Sequence, residues 1–206
     1  MGNLRHVLSF ESLIASRSGK LEREIEYTFY VHLKDLAELE KAQEIEEHEQ
    51  WRIPIETDKP FKMRIRKING RIYTEATKFK IKGMPGTQEV ESQITQDQYE
   101  HYLHVAFDGY KKTRYCFPIP GKDLKWEVDV FMDQTGNKHP WVKVDLEVDD
   151  PNMEVPEFPL DYDQFILDNG PKQTMEEMRF VRSLWDREWS RLDPIDTAKL
   201  GKDDDL

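Results

Sequence analysis

Along most of the chain, apolar and polar residues take turns. Residues 22–32 (EREIEYTFYVH) alternate and are rich in β-branched and aromatic types, which predicts a strand. The same period-two pattern returns at 61–67, 71–82, 88–94, 111–118, 125–131 and 141–149. Asn69-Gly70 between the second and third of these segments predicts a two-residue hairpin. Residues 33–49 (LKDLAELEKAQEIEEHE) are strong helix formers with a broken apolar stripe, and predict a helix with a charged outer face. Residues 96–107 and 173–192 predict two further helices, and 151–159 predicts a loop. The expected organisation is an irregular lead-in over 1–20, one domain over 21–192 and a flexible tail over 193–206. The class is α+β, with antiparallel strands around one barrel or sheet.

The alternating polar positions are mostly ionic. Glu24 and Glu26 flank Ile25, Arg64 and Arg66 flank Ile65, and Lys78, Lys80 and Lys82 alternate with Phe79 and Ile81. Lys112 and Arg114 stand two apart, Glu127 and Asp129 flank Val128, and Lys143, Asp145 and Glu147 alternate with Val144 and Leu146. Residues two apart share a face of a strand, so each strand offers a charged face, acidic in some and basic in others. Two readings stay open at this point. The charged faces are solvated around an apolar core, or they line an interior where opposite charges balance. In the second case, clustered Arg and Lys suit phosphate oxygens, and paired carboxylates suit Mg²⁺ or Mn²⁺.

Composition narrows the class. The 206 residues include 41 Asp and Glu against 30 Lys and Arg, for a net charge of −11. That argues against non-specific nucleic-acid binding but leaves room for a local basic pocket. The lone Cys116 excludes an internal disulfide. The first twenty residues lack the basic-then-apolar order of a signal peptide, and no stretch nears the roughly 20 apolar residues needed to span a bilayer. A cytoplasmic protein without membrane attachment is expected.

The ordered series of motifs resembles the CYTH family, or triphosphate tunnel metalloenzymes, which includes class IV adenylyl cyclase and thiamine triphosphatase. Glu24-Ile25-Glu26-Tyr27-Thr28 stands where that family has Glu-any-Glu-any-Lys. Met63-Arg64-Ile65-Arg66, Thr77-Lys78-Phe79-Lys80 and Glu89-Val90-Glu91 follow in order. Then come Lys112-Thr113-Arg114, Trp126-Glu127-Val128-Asp129-Val130-Phe131 and Val144-Asp145-Leu146-Glu147. The resemblance covers about residues 21–165 and departs at Thr28, where the family's signature lysine belongs. Lys80 or Lys82 is the expected substitute.

The resemblance implies an eight-stranded antiparallel tunnel with flanking helices. It implies a metal-dependent hydrolase of inorganic triphosphate, thiamine triphosphate or a nucleotide, with a non-catalytic nucleotide or polyphosphate binder and a cyclase as alternatives. Glu24, Glu26, Arg64 and Arg66 would be catalytic. Arg64, Arg66, Lys78, Lys80, Lys112 and Arg114 would bind the phosphate chain. Glu24, Glu26, Asp129, Asp145 and Glu147 would hold Mg²⁺ or Mn²⁺, with Glu127 assisting. The partner is a small triphosphate or nucleotide, and a homodimer is admitted as the assembly.

Overall fold

A computed structural model of the chain describes residues 20–55, 61–81, 86–132, 136–168, 175–176, 179–180, 183 and 191–192. Its elements are β1 (Lys20–Glu24), β2 (Glu26–Leu33), a 3-10 turn (Leu36–Lys41), β3 (Glu44–Ile53), β4 (Phe61–Ile68), β5 (Ile72–Phe79), β6 (Thr87–Gln93), α1 (Gln96–Leu103), β7 (Asp108–Pro118), β8 (Lys125–Val130), β9 (Trp141–Glu147), β10 (Tyr162–Leu167) and β11 (Arg191–Leu192). The register-resolved strand pairs are antiparallel and helices are few. No helix among the described residues is long and apolar enough to cross a membrane.

The chain divides into two compact units. Unit 1 takes Glu49–Gly109 with the outer parts of both termini, and unit 2 takes Glu24–His48 with Tyr110–Arg191. In unit 1 the strand order is β1-β6-β5-β4-β3, and in unit 2 it is β7-β8-β9-β2-β10. The strand order begins at β1 and ends at β10 without closing among the described residues, and there are more than eight strands. The antiparallel sheet is therefore as expected, but the closed eight-stranded barrel is not seen.

The β4–β5 hairpin turns at Asn69-Gly70 as expected, but Ile68 pairs with Ile72, so its loop holds three residues rather than two. Asn69 and Gly70 both take positive φ, 50° and 69°, as a type I′ turn requires. Unit 1 packs Trp51, Ile53, Met63, Ile65, Ile94 and Tyr99 into its core. Helix α1 starts on a capping box, with Thr95 accepting from the Gln98 amide and the Gln98 side chain accepting from the Thr95 amide. In unit 2 the apolar faces of β2, β8 and β9 bury Phe29, Val31, Trp126, Val128, Val142, Val144 and Leu146 against Leu39, Phe158 and Leu160. Phe165 of β10 stacks on Phe29 at 4.6 Å between ring centroids.

Two expected helices are corrected. The segment 33–49 forms one 3-10 turn and then β3. Its second half, EIEEHEQWRI, buries His48, Gln50, Trp51 and Ile53. Burying those side chains outweighs the helix propensity of the glutamates. The helix expected over 173–192 is helical at 175–176, 179–180 and 183, but Arg191–Leu192 forms β11. Strand β10 was not expected. The lead-in over 1–19 and the tail over 193–206 lie outside the described residues.

Gly109 has a steric reason. A Cβ there would stand 2.3 Å from the Trp51 ring, well inside van der Waals contact. Gly109→Ala is expected to destabilise the protein by about 1–3 kcal/mol through overpacking. Equilibrium urea unfolding reads this as a lower midpoint at unchanged slope, and an unchanged midpoint would contradict it.

Candidate functional site

Each unit carries an ionic face set by strand register. In unit 1, Arg64 pairs across to Ala76, Arg66 to Thr74 and Lys62 to Lys78. On the next strand, Lys78 stands opposite Glu89 and Ala76 opposite Glu91. Period two then puts Arg64, Arg66, Lys78, Glu89 and Glu91 on one side, and Met63, Ile65, Thr77, Phe79 and Val90 on the other.

The small Ala76 lets the arginines reach the glutamates across β5. Arg64 donates to Glu89 at 2.8 Å, and Arg66 to Glu91 at 3.0 Å. Lys78 meets Glu89 at 3.0 Å. The arginine side chains keep only 24% and 12% of their exposure. Burial works against the Glu89 carboxylate, but Arg64, Lys78 and Arg66 hold it below the usual carboxylate range. Three cations face two anions here. The Nε–H of Arg64 is buried without an acceptor among the described residues. Surplus positive charge and an unused buried donor suit an anion. Lys80 lies past the end of β5 and is exposed, so it is not part of this cluster. Lys82 is outside the described residues.

In unit 2, Glu26 pairs with Glu147, Thr28 with Asp145 and Tyr30 with Lys143. Asp145 stands opposite Glu127 and Lys143 opposite Asp129 on β8. Arg114 then stands opposite Asp129 on β7. The apolar core backs this ladder on its other side.

Asp129 is the anchor, with 1% of its side chain exposed. It accepts from Lys112 and takes a two-point fork from Arg114, Nε at 2.8 Å and an Nη at 3.0 Å. Arg114 also donates to Glu127. Burial, with Arg114 and Lys143 adding to it against the pull of Asp129, brings the Lys112 ammonium down to about 7.

Glu26 and Asp145 form a second centre. The Thr28 hydroxyl lies 2.9 Å from Glu26 Oε1 and 2.8 Å from Asp145 Oδ1. A hydroxyl has one proton, so it can serve only one of two ionised carboxylates. Lys143 adds its ammonium, bonded to Asp145 and 3.5 Å from Glu26. Burial lifts the Asp145 carboxyl to about 6, with Glu26 and Asp129 adding to the rise and Lys143 opposing it. Glu26, Glu127, Asp129 and Asp145 meet four cations, Lys112, Arg114, Lys125 and Lys143. The oxygen donors of Glu26 and Asp145, held close together, suit a hard divalent cation. Among the described residues, no three His, Cys, Asp or Glu side chains stand together as a ready ligand set. Glu147 is exposed opposite Glu26, and Glu24 closes β1 on the other side of Ile25.

Sequence reasoning missed three members of this face. Lys143 was read only as part of a charge pattern, yet it is bonded into the acidic pair. Glu46 and His48 fell in the segment read as a helix. His48 meets Glu46 at 2.8 Å. That bond, with Arg114 and Lys125 adding to it, holds Glu46 below the usual carboxylate range. The alternation EIEEHEQW was the available signal. Cys116 is buried and its thiol is pushed up to about 11, which keeps it protonated and inert.

No family model matches the chain, and no curated protein does. Solved structures do align with it. An inorganic triphosphatase, NE1496, is 22% identical, with 73% of this chain and 93% of that one covered and a TM-score of 0.43. A proposed adenylate cyclase from Bacillus halodurans is 11% identical, with 63% and 82% covered and a TM-score of 0.44. The PH1819 protein of Pyrococcus horikoshii is 18% identical, with 62% and 80% covered and a TM-score of 0.40. At such values the activities of these proteins remain their own, and the two ionic faces must carry the functional reading.

The raised Asp145 carboxyl has a consequence for stability. It holds its proton more tightly folded than unfolded. The folded state therefore loses stability as pH climbs from the ordinary value of 3.8 to about 6. The loss is up to about 3 kcal/mol. Asp145→Asn is expected to remove this decline. Melting temperatures recorded between pH ~4 and ~6.5 should show the variant gaining on the wild-type protein as pH rises, and parallel curves would contradict the assignment.

Proposed function

We propose that the chain is a divalent-metal-dependent hydrolase of a small triphosphate compound: inorganic triphosphate, thiamine triphosphate or a nucleotide. The observation that carries this lies within unit 2, where Lys112, Arg114 and Lys143 stand beside Glu26, Asp129 and Asp145 on one strand face. A metal-bound polyphosphate needs both kinds of partner. The motif series from Glu24 to Glu147 supports the same reading.

In this assignment Arg64, Arg66 and Lys78 take phosphate oxygens, with Lys112 and Arg114 as further cations. Guanidinium groups match phosphate geometry and stay charged at any working pH. Glu26 and Asp145 would hold Mg²⁺ or Mn²⁺, with Glu24, Glu147 and Asp129 around them. The metal's contribution is to neutralise phosphate charge and lower the pKa of a bound water. The chain's own residues fix the position of the phosphates and supply their counter-charge, which is most of what phosphoryl transfer asks of a protein. Asp129 is a positioning residue, because its fork with Arg114 fixes the guanidinium plane.

A second reading is a binder that captures the triphosphate without cleaving it. Thr28 favours it, since this position brings a hydroxyl to the Glu26–Asp145 pair where the resembled family brings a lysine.

The deciding assay is phosphate release from inorganic triphosphate, thiamine triphosphate and ATP, with Mg²⁺ and with Mn²⁺. Release that needs the metal and falls about a hundredfold in Glu26→Gln is expected. Arg64→Ala should lower kcat/KM by roughly ten- to a hundredfold, the worth of one charged hydrogen bond of about 1.5–3 kcal/mol. Ligand-dependent thermal stabilisation without release would select the binder. Neither response to any of the three compounds would contradict both readings.

A further inference from the structure

Lys143 sits where a cation is wanted. Its register partner on β2 is Tyr30, one same-face step from Thr28 and two from Glu26. Its ammonium is bonded to Asp145 and lies 3.5 Å from Glu26 Oε1. The Thr28 hydroxyl bridges the same two carboxylates. Both acids are close together, Asp145 is buried, and the single threonine proton cannot satisfy both. Lys143 brings positive charge to both, with Arg114 a more distant cation 3.8 Å from Asp145.

This centre is unlike the Lys112–Asp129–Arg114 cluster. There, two basic groups converge on one buried carboxylate, and the guanidinium forks onto it with good geometry. That arrangement is self-sufficient. At Glu26–Asp145, one ammonium on a flexible stem spans two carboxylates, bonded closely to one and at the edge of contact with the other, while Arg114 reaches Asp145 alone, at 3.8 Å. A lysine is a compact point charge that can rotate away without leaving a rigid fork unmatched.

We propose that Lys143 is a built-in counter-ion that competes with the divalent cation for the Glu26–Asp145 pair. The inference rests on the metal assignment made under Proposed function. A cation can enter the pair only as the Lys143 ammonium leaves it. The lysine thereby lowers the affinity of the metal-free protein for metal and stabilises the two acids until metal arrives. The displaced ammonium then becomes free to meet an anion, and metal loading and exposure of a lysine are coupled.

Two measurements on the whole chain test this. The first is Mn²⁺ titration at pH ~8, well above the ordinary carboxyl range. It is followed by calorimetry and by the electron paramagnetic resonance signal of free Mn²⁺, with no phosphate compound present. Lys143→Met, which keeps the apolar stem, is expected to bind Mn²⁺ about ten times more tightly than the wild-type protein. Lys143→Gln should do the same, which guards against a packing effect of one variant. Lys143→Arg should bind no more tightly than wild type. Thermal melts establish that each variant is folded.

The second measurement is acetylation of Lys143 in the unmutated protein, read by mass spectrometry with and without Mn²⁺. The labelling rate is expected to rise several-fold when Mn²⁺ is bound. Mn²⁺ binding that is equally tight in wild type and both neutral variants, or Lys143 labelling that is unchanged or slowed by Mn²⁺, would overturn the competition while leaving the metal site standing. Absence of Mn²⁺ binding from wild type and variants alike would overturn the metal assignment, and the competition with it.

Discussion

A charge taken out of water must find a counter-charge or a ligand, or the fold cannot hold it. Both units live under that constraint. Their strands alternate apolar and ionic side chains, so each ladder has a face that belongs in a core and a face that does not. The apolar faces pack on Trp51, Tyr99 and Met63 in one unit, and on Phe158, Leu160 and Leu39 in the other. The ionic faces are nevertheless partly withdrawn from bulk water: Asp129, Asp145 and Lys112 are buried in unit 2, and the unit 1 cluster is half-buried. Isolated strand charges of this kind add little stability, and a buried pair is often worth less than an apolar one of the same shape. So many buried charges therefore call for a reason beyond folding.

The two faces differ in charge balance, and the difference is chemically useful. In unit 1 the arginines of β4 reach over Ala76 to the glutamates of β6 and still leave one donor of Arg64 unused. In unit 2 carboxylates gather at Glu26 and Asp145, where burial, with Glu26 and Asp129 adding to it, lifts the Asp145 carboxyl into the mildly acidic range. Surplus basic groups suit a polyphosphate, and close carboxylate oxygens suit a divalent cation.

Much of this was legible in the residues. Strand positions, the Asn69-Gly70 turn and the grouping of Arg64, Arg66 and Lys78 follow from period-two alternation and turn chemistry. Alternation says which residues share a face, but it does not say which face is buried, and that required tertiary contacts. The segment 33–49 misled for a physical reason. Its glutamates, lysines, alanine and leucines favour a helix locally, while Trp51, Gln50 and His48 gain more from burial in β3. That misreading hid Glu46. Lys143 was overlooked for another reason. The motif containing it draws attention to Asp145 and Glu147, and nothing in linear spacing says that a lysine two residues before an aspartate will fold onto it. Lys80, by contrast, had the right spacing but falls beyond the end of β5.

The central claim is that the ionic side chains of unit 2 exist to hold a metal-bound phosphate chain. Diffraction from crystals grown with Mn²⁺ and a non-hydrolysable triphosphate analogue, recorded at the manganese absorption edge, tests it most directly. The account predicts an anomalous peak within coordination distance of Glu26 and Asp145, with phosphate oxygens on the neighbouring Lys112 or Arg114. Manganese and analogue bound elsewhere on the surface, with both ionic clusters keeping their internal salt bridges, would contradict it.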